Sequence, residues 1–591
     1  MRQFFKNVFS TVVGVLVATF LFFLLGILIV SIIVSSSSGS FSLKENTVLE
    51  LKLEGVLFER TSVKNPLFKM LGVESVTEIG LDDILGSIKK AKSNDKIKGI
   101  YIHAGMFSAS TASLQEIRNA LTDFKESGKF VVAYGDVYTQ GCYYLSSMAD
   151  KVFLNPQGQV DMHGLAAVPT YYKGLFDKLG IEMQIFKVGT FKSAVEPYSS
   201  DKMSEPNRQQ ITAYMGDLWG EMLTGISNSR NISVEQLNIF TDSLVTFQDQ
   251  KFLIDNRFVD SLLYPSEVKD YLKTMVGIEK DDKLNLASID NMSFVLLDEI
   301  KINTEKPQIA VLYAEGSIVS AETDTDDDRT IVDRDVVKQL EKLKNDDDVK
   351  AVVFRVNSRG GSAYASEQIW KAVSEVKAKK PIVVSMGDYA ASGGYYISCN
   401  ANKIVAQPAT LTGSIGIFGM FPNVEGLTKK IGLSFDKVKT NRYSDFGDFT
   451  RPMRDDEKRL LQAYVERGYD LFLTRCADGR KMPKDSLALI AEGRVWSGKQ
   501  ALKLGLVDEL GGLEKAISIA AELAELTDYS TTEYPHKKEF FETILNSNQE
   551  ELATRALKEY LGADYEIVKT LRELKNQDYM QARMPFEMEV R

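Results

Sequence analysis

The 591-residue chain repeats itself at a fixed spacing. Gly135–Gly164 reads GDVYTQGCYYLSSMADKVFLNPQGQVDMHG, and Gly387–Gly416 reads GDYAASGGYYISCNANKIVAQPATLTGSIG. An offset of 252 aligns the two without a gap, with ten of thirty positions identical. The same offset pairs Lys98 with Lys350 and Lys178-Leu179-Gly180 with Lys430-Ile431-Gly432, so the match runs over at least 80 residues. Self-similarity on that scale means two copies of one structural unit.

Each copy has the same coarse pattern. Short apolar runs at Gly99–Ala104 and Ala351–Val356 read as strands, and polar-apolar stretches of helical period follow at Ser113–Lys125 and Ser366–Lys379. New apolar runs come at Phe130–Tyr134 and Ile382–Met386, then a Gly-Asp turn, a second helix, and strands at Lys151–Leu154 and Lys403–Ala406. Strands alternating with helices predict α/β units with buried, largely parallel sheets. More helical stretches follow at Asn207–Ile278 and Asp455–Leu526. The expected division is 1–43 for an N-terminal anchor and linker, 44–300 and 301–540 for the two α/β repeats, and 541–591 for a charged tail predicted to be helical.

No charged side chain occurs between Lys6 and Lys44, and Val8 to Val34 is mostly apolar. As a helix those residues would span about 40 Å, enough to cross a hydrocarbon core of about 30 Å with some tilt. A cleaved signal peptide usually has an apolar region of only about 7–15 residues. Arg2 and Lys6 precede the span, so the positive-inside rule leaves the N-terminus in the cytoplasm and the remaining chain outside it. A net charge of −10 argues against a nucleic-acid partner, which demands a basic surface. Three cysteines are too few and scattered for a disulfide framework or a zinc site, and Cys142 and Cys399 read as buried thiols. The acidic run Thr323–Asp328 lacks the glycine and distant glutamate of a calcium loop and reads as a solvated loop.

The repeat also allows the chemistry of the two copies to be compared position by position. Ser392 lies in Ala390-Ala391-Ser392-Gly393-Gly394, between a strand and a helix, where a hydroxyl stands beside free backbone N–H groups. Its counterpart is Gln140, which cannot act as that nucleophile. Gly360 and Gly361 follow a strand and let the backbone approach a substrate closely; Ser108 and Ala109 stand in their place in the first copy. The reverse loss occurs further on, where the offset sets Ser444 opposite Lys192. A serine before a helix is also a common N-cap, and a lysine is by default a surface residue. But one copy has kept a candidate nucleophile and the other a candidate base. A serine needs a base, and a lysine serves only if burial lowers its pKa from about 10.4. A pair so divided predicts one site at the interface of the halves. A Ser/His/Asp triad is the weaker reading, because none of the histidines is a convincing member: His103 aligns with Arg355, His163 with Ile415, and His536 lies in a polar tail.

With GTFKSAVEP at Gly189–Pro197, MGDYAASGGYYIS at Met386–Ser398, LTGSIGIFG at Leu411–Gly419, the anchor and the tandem repeat, the chain resembles the long form of the signal peptide peptidase A family. The resemblance covers nearly the whole sequence. It implies a fold of the Clp-protease/crotonase type, a homotetramer, and a membrane-anchored Ser/Lys protease that degrades cleaved signal peptides without metal or cofactor. It further implies a single-pass protein of the bacterial inner membrane whose catalytic part lies on the periplasmic side. Matched motif by motif, Ser392 is the implied nucleophile, Lys192 the general base, and Ser414 the residue that orients the lysine. Gly393 and Gly361 are the expected oxyanion donors. One departure is Arg359, where the family usually has proline. A crotonase-like acyl-CoA enzyme and a catalytically silent membrane scaffold are the alternatives, although neither accounts for the divided pair.

Overall fold

The computed structural model describes residues 41–61, 77–295, 306–320, 329–537 and 580–584, together with 4, 6–7 and 9–21. Its first sheet has Thr47–Phe58, Ile97–Ser108, Phe130–Tyr138 and Lys151–Val160 side by side and parallel. Val48, Leu49, Leu51 and Leu53 are buried along the first strand, and Ile100 and Ile102 along the next. The helical crossovers that connect parallel strands cover both faces of the sheet, which explains the near-continuous apolar runs. Helices Leu81–Ser93 and Thr111–Lys125 cover one side through Ile84, Ile88, Leu114, Ile117 and Leu121.

The second sheet repeats this plan. Gln308–Glu315, Val349–Ser358, Ile382–Ala391 and Leu411–Gly413 lie in order and parallel, with Lys403–Ala406 also on Ile382–Ala391. The first residues of its strands sit 252 positions after their counterparts Ile97, Phe130 and Lys151. Both sheets also take a late parallel strand on the first strand of the unit: Asn285–Ser288 in one half and Ser530–Tyr534 in the other. Of the six strands read from apolar runs, all except Lys403–Ala406 extend beyond those runs.

A third sheet joins the halves. It runs Thr330–Val332, Ser317–Val319, Gly360–Ser362, Gln581–Arg583, Phe418–Asn423 and Glu182–Lys187, the last from the first repeat. The tail was expected to be helical, yet Gln581–Arg583 is a strand, because it is hydrogen-bonded on both sides by strands of the second repeat. The rest of the tail beyond Lys537 lies outside the described residues, as does the acidic run 323–328. Among the described residues no helix is long and apolar enough to cross a membrane. Residues 9–21 of the expected span are helical, and 22–34 lie outside the described residues.

Polar contacts fix how the repeats dock. Arg355, in the middle of an apolar strand, is buried, and its Nε and Nη2 donate to Glu59 and Glu116 of the first repeat, both at 2.8 Å. Burial pushes the Glu59 carboxyl up to about 8, against the pull of Arg355. Ser113 donates from its backbone N–H and its hydroxyl to Asp388, each at 2.8 Å. Burying charges costs desolvation energy that is offset only when every partner is in place, so the cluster favours one docking geometry over others.

Candidate active site

Ser392 sits between the strand Ile382–Ala391 and the short helix Gly393–Ser398. Its backbone has φ 56° and ψ −113°, an unusual conformation for a side chain with a Cβ. Such strain costs on the order of 1–3 kcal/mol and persists only where the surroundings enforce it. Here Ser392 N–H donates to Gly413 O at 2.8 Å and Ser392 O accepts from Tyr396 N–H at 2.9 Å. The side chain makes no capping hydrogen bond to its helix, so it is not serving as an N-cap. Instead Oγ faces Lys192 Nζ at 2.7 Å, from a residue 200 positions earlier in the other repeat.

Lys192 is one of the largest fully buried side chains, and its exposure is 1%. Among the described residues its other polar neighbours are Ser414 Oγ at 3.1 Å and Ser414 O at 3.2 Å, with no carboxylate among them. Burial alone therefore holds its pKa well below that of an ordinary lysine. A neutral amine at that distance from a serine hydroxyl can accept its proton. Ser414 is itself held in the left-handed region, at φ 50°, with its N–H donating to Arg494 O at 2.7 Å.

Glycines make room for the lysine. Gly493, at φ +77°, comes so close that a Cβ there would lie 2.7 Å from Lys192 Cβ, and a Cβ on Gly416 would lie 3.3 Å from Lys192 Cδ. The loop carrying Lys192 is pinned by Phe191 N–H donating to Glu492 O at 2.9 Å. Gln210 bridges the repeats: its Nε2 donates to Phe191 O and Ser193 Oγ, and its Oε1 accepts from Val495 N–H at 3.0 Å. Gly493 and Gln210 were not singled out in the sequence. Nothing local marks Gly493, and Gln210 is a lone polar residue in a helix.

The expected oxyanion glycines are also near. Gly393 follows Ser392 and opens the helix, while Gly361 lies in the neighbouring strand Gly360–Ser362. A Cβ on Gly360, at φ +97°, would lie 2.6 Å from Gly393 N, so the two segments approach closely. Arg359, the departure from the family pattern, stacks its guanidinium 4.7 Å from the centre of the Tyr389 ring.

The corresponding position of the first repeat is closed. Gln140 Oε1 accepts from His163 N–H at 3.0 Å and Gly164 N–H at 2.9 Å, and its Nε2 donates to Gly164 O. Ser444, opposite Lys192 in the repeat, lies in an exposed loop. His103 pairs with Glu50 and His163 with Asp161, while the His536 ring lies tilted against Tyr534. All three cysteines are buried with free thiols.

The sequence profile of Peptidase family S49 matches residues 123–279 and 374–527, one stretch in each repeat, and that of Clp protease matches 306–411. The chain is 37% identical over 526 residues to Protease 4 of Salmonella typhi, covering 86% of this chain and 84% of that one. It is 34% identical over 570 residues to Protease 4 of Haemophilus influenzae, covering 93% and 92%. The chloroplastic serine protease SPPA of Arabidopsis thaliana is 32% identical over 451 residues, covering 76% of this chain and 66% of the other.

Proposed function

The chain belongs to Peptidase family S49 and is a serine protease of the signal peptide peptidase A kind; on that premise we propose that Ser392 and Lys192 form its catalytic dyad. Ser392 Oγ attacks the carbonyl carbon of the scissile peptide bond, and Lys192 Nζ takes the hydroxyl proton. The N–H groups of Gly393 and Gly361 stabilise the oxyanion. Lys192 then delivers the proton to the leaving amine. A water attacks the acyl-enzyme, again losing its proton to Lys192, and Ser392 is regenerated. Ser414 orients the lysine. The observation that carries this reading is the 2.7 Å separation between Ser392 Oγ and a buried lysine amine from the other repeat.

We further infer that the substrates are peptides left by signal-sequence cleavage, that the span Val8–Val34 anchors the protein in the inner membrane with the catalytic part on the periplasmic side, and that it assembles as a homotetramer. A fluorophosphonate probe tests the dyad. It is expected to label Ser392, located by peptide mapping, and to fail on Ser392→Ala and Lys192→Met. Near-normal labelling or peptide cleavage by Lys192→Met overturns the assignment of the base. Carbonate extraction of membranes and light scattering in detergent test the anchor and the tetramer.

A further inference from the structure

The strand Gln581–Arg583 enters the site as a peptide would. It lies between Gly360–Ser362 and Phe418–Asn423, antiparallel to both. Ala363 N–H donates to Met580 O at 3.2 Å, and Met584 N–H donates to Arg359 O at 2.8 Å. The pair midway between them, Gly361 and Ala582, is in register. In an antiparallel ladder every second pair exchanges hydrogen bonds, so Gly361 N–H points at the Ala582 carbonyl. A methyl group on Gly360 would collide with that carbonyl oxygen, and one on Gly393 would stand 3.1 Å from it. The oxygen therefore rests where Gly361 and Gly393 converge, beside Ser392. The bond so presented is Ala582–Arg583.

This register assigns the remaining side chains to places in the groove. Ala582 is fully buried. Two residues past the presented bond, Met584 is 4% exposed and packs in a cluster with Ala112, Tyr214 and Leu218 of the first repeat and Tyr389, Leu411 and Val495 of the second. Resting on the dyad assignment above, we propose that the enzyme selects its substrates at the second residue beyond the cleaved bond, through a pocket shared by the two repeats that takes a long apolar side chain. An acidic side chain is disfavoured there, since it would lose its hydration against ring and aliphatic walls while Asp388 lines the adjoining cavity. The backbone hydrogen bond from that same residue to Arg359 O fixes its depth, so the substrate must continue at least two residues past the bond. The first repeat thus contributes to recognition as well as supplying Lys192.

Full-length enzyme and peptides spanning Tyr579–Phe586 test this, with Leu, Ala or Asp placed at the position of Met584. Mass spectrometry of the products is expected to place the cut after the residue matching Ala582. The kcat/KM for Met and Leu is expected to exceed that for Asp by about 10- to 100-fold, the effect of burying one large apolar side chain. Ala is expected to fall between them. A flat series, a series in which Ala equals Met, or a cut at another bond overturns the pocket. In a second experiment Ala112→Phe fills it, and the Met-to-Ala ratio is expected to fall toward one; an unchanged ratio also overturns the proposal. If that variant does not fold, the series on the unaltered enzyme decides alone. Ser392→Ala run on the same peptides separates the two claims: residual cutting sinks the dyad assignment, whereas the side-chain profile reads the pocket only.

Discussion

Gly493→Ala tests whether the lysine is held as tightly as its surroundings imply. The added Cβ would stand 2.7 Å from Lys192 Cβ and 2.8 Å from both its Cα and its backbone N. Carbon atoms in contact prefer about 3.5–4.0 Å, so one side must give by roughly 1 Å. Two of the three contacted atoms are backbone, and that loop is tied to Glu492 O, so a rotamer change cannot relieve the clash. Misplacing a catalytic group by about 1 Å costs on the order of 10²-fold in rate. The substitution also adds about 1–2 kcal/mol for a Cβ at φ +77°. Gly432→Ala separates these effects. Gly432 has φ +79° with nothing within 4 Å of its missing Cβ, so it bears the backbone cost without touching the site. Steady-state cleavage of a peptide, beside thermal unfolding of each variant, is the assay. Both variants are expected to lose a few degrees in Tm, while only Gly493→Ala loses about 10²-fold in kcat/KM. If Gly493→Ala stays within threefold of the parent, or Gly432→Ala loses as much, the tight seating of Lys192 is wrong.

Ser392→Ala and Lys192→Ala are each expected to abolish cleavage, and the double variant to be scarcely worse than either, because groups acting as one unit are non-additive; additive losses in kcat would refute the unit. Because burial lowers the Lys192 pKa, kcat/KM is expected to rise with pH through that lowered value and persist into the alkaline range, whereas a histidine base would give a rise near about 6.5. The same shift bears on stability. The unfolded chain binds a proton that the folded chain does not, so stability at this site falls as pH drops from 10.5 toward the folded pKa. Lys192→Met is therefore expected to raise Tm at pH 7, with the gain vanishing near pH 10.5; no gain at pH 7 would mean that the lysine is charged in place. Arg355→Met leaves Glu59 and Glu116 buried without their cation and is expected to cost about 3–5 kcal/mol. Urea unfolding should find the Glu59 share of that deficit flat up to about pH 8 and growing above it, where the carboxyl of the parent ionises against Arg355 and that of the variant has no cation to ionise against.

What the sequence made legible, and what it hid, follow from where the information lies. Ser392 and Lys192 could be singled out because each repeat serves as a control for the other: Gln140 and Ser444 occupy the same positions in the same scaffold without the chemistry. The parallel strands were legible because residues such as Val352, Val353 and Phe354 are buried on both faces and leave unbroken apolar runs. Their ends were not, since Val349–Ser358 extends past its apolar run into Asn357 and Ser358, polar residues whose side chains hydrogen-bond to neighbouring backbone and add nothing to an apolar pattern. Arg355 carries a signal that points to no partner. A charge inside AVVFRV demands a buried partner, but the partners lie 296 and 239 residues earlier and no local pattern names them. The tail strand Gln581–Arg583 had no such signal. Three residues carry no periodicity, and their extended form comes from the strands on either side.

With Ser392 and Lys192 as the proposed dyad, the same contacts explain why neither half would hold a site of its own. In the first repeat Gln140 ties itself to the backbone N–H groups of His163 and Gly164, the positions that in the second repeat are Ile415 and Gly416 beside Lys192. That amide fills the place where a lysine would have to enter. In the second repeat the residue opposite Lys192 is exposed Ser444, so no base is available from within. The lysine must come from across the interface, and the interface must then be held to within an ångström. Arg355 with Glu59 and Glu116, Asp388 with Ser113, and Gln210 with Val495 each join opposite repeats through buried polar groups that tolerate only one arrangement. Hydrophobic contact alone would permit the halves to slide, because it is not directional. Separated halves should therefore be inactive even if each folds, and cleavage by the second half without Lys192 would break this account of the site.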